Sequence, residues 1–235
     1  IGNVSRAENG YPYPYFWGFK TDGIFQNQSE IDAYTKDGKK IQPNAIPGDV
    51  RFVDIDGSGA IDDGDKTMIG KGTPDWTFGL NFNLAYKNLD FTMLVSGQWG
   101  NEIVDATRRL DCPWVNLPAE FINRWHGEGT SYTMPRFCWN GDDNNKNWGN
   151  FSDLYIKNGA FARIKNIQLG YTLPANLSQK FFVQRLRVYV AAENLLTFTG
   201  YDGLDPELSN DSSRGIDRGY YPQARTFTVG LNVNF

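Results

Sequence analysis

Hydrophobic and polar residues take turns along the last eleven residues, "RTFTVGLNVNF". Phe227, Val229, Leu231, Val233 and Phe235 fall on one side, and Thr226, Thr228, Gly230, Asn232 and Asn234 on the other. Side chains of a strand point to alternate faces, so this pattern predicts a strand with one apolar and one polar face. "TFGLNFNLAY" repeats it, setting Phe78, Leu80, Phe82, Leu84 and Tyr86 against Thr77, Gly79, Asn81, Asn83 and Ala85. After a short turn, Phe91, Met93, Val95 and Trp99 share a face of "FTMLVSGQW". "IKNIQLGYTL" and "LRVYVAAENLLTF" follow the rule less strictly. The predicted strands are Thr77–Tyr86, Asp90–Trp99, Ala160–Leu173, Arg185–Phe198 and Arg225–Phe235.

A soluble β-sandwich also alternates. Three features separate this chain from one. Its strands run to about ten residues, where soluble strands average about five or six. Their polar faces carry Asn, Gln, Thr and Gly rather than Lys and Glu. The connections alternate between short (Lys87, Asn88, Leu89) and long (Gly100 to Gly159, Gly200 to Ala224), with Pro174 to Gln184 between these extremes. Membrane-spanning barrels have strands of ~9–11 residues, short turns at one end and long loops at the other. Aromatics gather at strand ends (Trp76, Tyr86, Phe91, Trp99, Tyr171, Phe198, Phe227, Phe235), as interfacial girdles require.

Composition agrees: aromatics make up 15% of the 235 residues and Gly numbers 25, a balance that favours β-structure. A net charge of −4 gives no reason to expect a nucleic-acid partner. "IGNVSRAENG" has neither an initiator Met nor a signal-like start, which reads as an internal piece of a longer protein. Cys112 and Cys138 lack metal-ligand spacing, and they are as consistent with free thiols as with a disulfide. His126 is the single histidine and no nucleophile elbow accompanies it, so the sequence predicts no enzyme.

"VDIDGSGAIDDGDK" (Val53 to Lys66) fits the spacing of an EF-hand-type calcium loop. With Asp54 first, Asp56, Ser58, the carbonyl of Ala60, Asp62 and Asp65 occupy the alternate positions that supply oxygens, and Gly59 allows the turn. Asp replaces the usual Glu at the last position, which lowers the expected affinity. "IPGDVRFV" supplies no helix before the loop, so a paired sensor is not expected. The bland alternative is a solvated acidic turn. In the connection from Asn101 to Asn150, Trp114, Trp125, Trp139 and Trp148 stand among Asn, Asp and Gly. Such rings suit sugar stacking or a protein partner, though folding the loop itself ranks first. Arg108, Arg109, Arg124 and Arg136 in the same connection suit a partner interface.

Several stretches taken in order resemble the C-terminal part of SusC/RagA-type TonB-dependent outer-membrane transporters. They are "GFKTDGIFQNQSEIDAY", "PGDVRFVDIDGSGAIDDGDK", "YKNLDFTMLVSGQWGNEI", "FARIKNIQLGYTLP", "LRVYVAAENLLTFTGYDGLDPE" and "GYYPQARTFTVGLNVNF". The resemblance implies an all-β fold: the last strands of a transmembrane antiparallel barrel of about 22 strands. Residues 1–76 would hold strand ends and an extracellular loop with the calcium site. Residues 77–235 would hold five strands, with extracellular loops at 100–159 and 200–224. It further implies import of oligosaccharides or peptides across the outer membrane of a Gram-negative bacterium, beneath a SusD-like surface lipoprotein. TonB would act through an N-terminal region outside this chain, and Phe235 would serve as an assembly signal. Calcium would be structural, on the outer side. The competing reading is a secreted calcium-dependent carbohydrate-binding β-sandwich.

Overall fold

The structure is a computed structural model and describes residues 4–107, 116–138, 142–208 and 214–235. Five long strands dominate: β1 (Trp76–Tyr86), β2 (Leu89–Trp99), β3 (Phe161–Thr172), β4 (Arg185–Thr199) and β5 (Thr226–Asn234). They form one sheet in the order β5-β4-β3-β2-β1, and every neighbouring pair is antiparallel. Each strand begins and ends within one residue of the bounds its alternation predicts. A sandwich would split them between two stacked sheets, and they do not split.

Register carries the apolar face unbroken across the sheet. Leu84 lies opposite Phe91, Phe91 opposite Leu169, Leu169 opposite Val190, and Val190 opposite Val229. This face is bare in the chain alone, with Leu84 65% and Val229 79% exposed. Trp76 pairs with Trp99 at one end of the face, and Leu89 sits between Tyr86 and Tyr171 at the other. The opposite face is polar: Asn83, Thr92 and Gln168 align across β1, β2 and β3, and Thr92 Oγ1 donates to Asn83 Oδ1 at 3.1 Å.

β3 departs from strict alternation for a local reason. Ile164 pairs with Val95 and Asn166 with the adjacent Leu94, so Lys165 is an extra residue with no partner on β2. A bulge of this kind shifts the phase of alternation by one. Below it Ile167, Leu169 and Tyr171 face the apolar side; above it Ala162 and Ile164 do, which turns Arg163 to the polar side.

A second compact unit is built from the described residues of Ile1–Thr73, Glu102–Lys157 and Asn210–Gly219. Most of the connection after β2, and the described part of Asn210–Gly219, thus group with the N-terminal stretch rather than with the strands they join. Its largest core packs Val4, Phe16, Val104, Phe121, Trp148, Tyr155 and Ile216. A smaller one holds Phe19, Ile24, Val50 and Phe52, and a third Phe25, Ile31 and Ala45. Regular structure comes in short pieces: Tyr15–Phe19 pairs antiparallel with Ser5–Arg6 and Lys66–Lys71, Thr21–Ile24 pairs with Val50–Phe52, and a six-residue helix, Gln28–Ala33, is capped by Asn27.

Side-chain amides complete what backbone pairing leaves open. Gln42 Oε1 accepts from Phe52 N at 2.9 Å while its Nε2 donates to Val50 O at 3.0 Å. Asn147 Oδ1 accepts from Val50 N at 2.9 Å, and Asn145 Nδ2 also donates to Val50 O. Three amides therefore stand in for a missing strand along Val50–Phe52. Buried backbone groups need such partners, and an orphan costs about 1–3 kcal/mol.

Candidate functional site

The acidic loop is folded around Asp65, which is fully buried. One Asp65 carboxylate oxygen accepts from Ile55 N at 2.7 Å and Asp56 N at 3.3 Å, the other from Asp62 N at 2.9 Å. Asp62 begins a 3₁₀ turn (Asp63–Asp65), and its Oδ1 accepts from Gly64 N at 2.7 Å. Gly59 adopts φ +87, a left-handed backbone that favours glycine, and its N–H donates to Asp54 Oδ2 at 3.0 Å. A side chain at Gly64 would run into the Asp56 carboxylate.

One carboxylate oxygen each from Asp54, Asp56 and Asp65 lie within 4.8 Å of one another. Oxygens sharing one calcium at 2.3–2.6 Å stand at most about 4.6–5.2 Å apart, so these three fit a single ion. Asp54 Oδ1 is buried and has no hydrogen-bond partner among the described residues, which leaves its charge open to a cation. Ser58 Oγ donates to Ala60 O at 3.0 Å, so those two expected ligands are paired with each other, and Asp62 serves as the cap of the turn. The Ser58 N–H donates to Asp56 Oδ1 at 2.8 Å and is the chief cause that holds the Asp56 carboxyl below the usual range, with a smaller contribution from the Lys36 charge. Lys36 runs alongside Gly57 and Gly59 and is the nearby fixed cation.

The tryptophans divide differently. Trp148 is buried in the largest core, its ring 5.9 Å from Phe121 and 5.8 Å from Tyr155, so it folds the unit and presents no face to a ligand. Trp125 is half-buried over Gly48, with its Nε1 buried and unpartnered among the described residues. Trp114, Trp139, Arg108, Arg109 and Cys112 lie outside the described residues. Cys138 is half-buried, and burial, aided by the Asp143 charge, pushes its thiol up to about 11. Arg136 turns inward to Asp49 rather than outward to a partner. His126 is exposed. Phe235 follows β5 and is 85% exposed.

A charge cluster went unnoticed in the sequence. On the polar face of the sheet, Arg163 Nη2 donates to Asp205 at 2.5 Å, Nη1 to Glu207 at 2.7 Å and Nε to Thr197 Oγ1 at 2.8 Å. Lys165 adds two contacts of 2.6 Å to Glu207. The bulge makes this possible by bringing Arg163 and Lys165 to one face. Asp205 and Glu207, in the connection after β4, are thereby tied back to the wall. Burial pushes Asp205 up, but the Gln223 N–H, Arg163 and the Glu207 N–H outweigh it and hold the carboxyl below the usual range.

No family model matches the chain. It is 34% identical over 229 residues to TonB-dependent receptor P3 of Formosa agariphila, an alignment spanning 94% of this chain and 22% of the relative. It is 30% identical over 235 residues to TonB-dependent receptor SusC of Bacteroides thetaiotaomicron, spanning 99% of this chain and 21% of SusC. Among solved structures, the RagAB peptide transporter superposes with a TM-score of 0.74 at 23% identity, over 100% of this chain and 24% of that one. The chain thus spans between a fifth and a quarter of the proteins it matches. Its fold is that of part of a barrel, and the likeness to proteins named TonB-dependent receptors holds from end to end.

Proposed function

From a chain that is like SusC/RagA-type TonB-dependent receptors over its whole length, we propose a segment of an outer-membrane importer that takes up oligosaccharides, or peptides, with a SusD-like surface lipoprotein and TonB. It acts in the outer membrane of a Gram-negative bacterium and carries out no bond chemistry of its own. The observation that carries this reading is the bare apolar face. Eleven residues of β1 at ~3.3 Å each, tilted by ~45°, cover about 25 Å, the height of the apolar band on outer-membrane barrels. Lipid covers such a face; a water-soluble binding module has no use for it. Deleting the gene for the full-length protein is expected to abolish growth on one class of oligosaccharide or peptide while leaving glucose growth intact. Unchanged growth on every such source would remove the importer reading.

Calcium belongs to this proposal as a structural ion held by Asp54, Asp56 and Asp65, with Ser58, Ala60 and Asp62 completing the shell once Ser58 releases Ala60. The carboxylates repel one another, and a divalent ion offsets that repulsion. For the full-length protein, calorimetric titration should give one site with Kd of about 10⁻⁴–10⁻³ M, the range of extracellular modules. Asp54→Ala should remove it and should weaken capture of the lipoprotein partner. Absence of calcium binding at millimolar ion would return the loop to a solvated turn clamped by Lys36.

A further inference from the structure

A short hairpin lies against the acidic loop, within the same compact unit. Thr35 pairs with Lys40 and Lys36 with Lys39 across the turn Asp37-Gly38, whose residues take φ 51 and 76. Positive φ at both central residues is the hairpin-turn geometry that Asp-Gly favours. Lys36 and Lys39 are thereby set directly opposite each other, a pairing of like charges that by itself destabilises a hairpin. Lys39 is exposed, whereas Lys36 is half-buried and lies along the loop. We propose that Lys36 is the loop's own counter-cation: it holds the loop folded while no metal is bound, and calcium must compete with it.

The hairpin is tied down at both ends. Tyr34 Oη donates to Phe52 O at 2.7 Å and accepts from Asp54 N at 3.3 Å, which pins the start of the hairpin to the entrance of the loop. Ile41 N donates to Tyr34 O at 3.1 Å, and Lys40 pairs with Asp32 of the short helix at 2.6 Å. Between these ties the Lys36 stem runs over Gly59 and its ammonium over Gly57. A Cβ on Gly59 would stand 3.3 Å from Lys36 Cβ, and one on Gly57 2.9 Å from Nζ. The two glycines take φ +87 and +72, so they serve the turn and also leave a trough for the lysine.

Charge gives Lys36 its task. Asp54, Asp56, Asp62, Asp63 and Asp65 crowd the loop. Lys66 pairs with Asp63 at 2.6 Å, and the other four form no ion pair among the described residues. Asp54 Oδ1 is shut off from solvent with no hydrogen-bond partner there. Carboxylates held this close disfavour one another's ionised form unless a cation stands near. Lys36 supplies one at longer range: it makes no ion pair, yet its charge helps to hold the Asp56 carboxyl below the usual range. An ammonium tethered over the backbone balances charge without taking up the space among Asp54, Asp56 and Asp65. A divalent ion can therefore still enter that space, against the repulsion of Lys36.

The counter-cation stands without the calcium reading; only the competition rests on it. Purified full-length protein, as wild type, Lys36→Met and Lys36→Arg, would be compared by hydrogen exchange of peptides covering Asp54–Asp65, in chelator and in millimolar calcium. Met keeps the packing of the stem and removes the charge, and Arg restores the charge. In chelator, exchange in Lys36→Met should be about tenfold faster than in wild type, and Lys36→Arg should match wild type. Calcium should return the Met variant to protection. Unchanged exchange of peptides from residues 161–172 checks that the fold is intact. Calorimetric titration should give calcium affinity about tenfold tighter in Lys36→Met, as loss of one nearby positive charge implies. Equal exchange of the Met variant and wild type in chelator would overturn the counter-cation, and equal calcium affinity would overturn the competition. If neither protein binds calcium, the calcium reading and the competition fall together, and exchange in chelator still decides for or against Lys36.

Discussion

Asp49→Ala in the full-length protein is expected to destabilise the loop unit by about 3–5 kcal/mol, the cost of leaving a buried charge without its partner. Asp49 is fully buried, and its Oδ1 accepts from Arg136 Nε at 2.7 Å and from Asn147 Nδ2 at 2.8 Å. Its Oδ2 accepts from Ile46 N at 2.9 Å, closing the turn that leads into Val50–Phe52. Removing the carboxylate strands three donors at once, and Arg136 keeps only its outer contacts to Asp142. Asn147 then loses the bond that orients it toward Val50. Hydrogen exchange at the Val50 and Phe52 amides measures the opening free energy locally. Asp49→Asn keeps the shape and one acceptor oxygen and should lose less. Protection within about 0.5 kcal/mol of wild type in the Ala variant would mean that the network is incidental to the fold.

The Arg163→Ala variant is the second large effect, again about 3–5 kcal/mol, because Asp205 and Glu207 would face a buried site with no cation of matching shape. Arg163 is 3% exposed and Asp205 6%. Arg163→Lys should recover only part, since an ammonium cannot reach Asp205, Glu207 and Thr197 together as the guanidinium fork does. Limited proteolysis of the full-length protein between Tyr201 and Leu208 reports the tether directly. The same assay fixes the pH dependence. Asp205 has a folded pKa below its unfolded value, so its contribution is fully present above the unfolded carboxylate value of about 3.9. It is lost as pH falls through the lower, folded value. Protection should be flat from neutral pH to about 5 and should fail only below about 4. Cleavage rising already between pH 7 and 5 would point to a different group.

Strand positions were legible because alternation is a property of each segment by itself: a glance at Phe227 to Phe235 identifies a strand without knowing its neighbour. The spacing of Asp54, Asp56 and Asp65 was legible for the same reason. Partnerships across long sequence separations were not. Gln42 and Asn145 stand 103 residues apart, and nothing in either neighbourhood marks an amide that will replace a backbone strand. The bulge at Lys165 was half visible, as a strand whose alternation stumbles. Its consequence for Arg163 required knowing that Asp205 and Glu207 return to that face. That Trp148 folds the loop was the first-ranked reading, but its partners were not legible, because Val4, Val104 and Ile216 come to that core from far along the chain.

The unpartnered Lys165 also bears on the size of the whole cylinder. In a closed sheet the strand count and the shear, the total stagger accumulated on going once round, together set the radius and the tilt of the strands. An extra residue on one strand adds to that stagger above the bulge but not below it. β4 carries its own extra residue against β3, where Ile164 faces Leu196 and Asn166 faces Glu193, so the stagger grows across both strand pairs at this level.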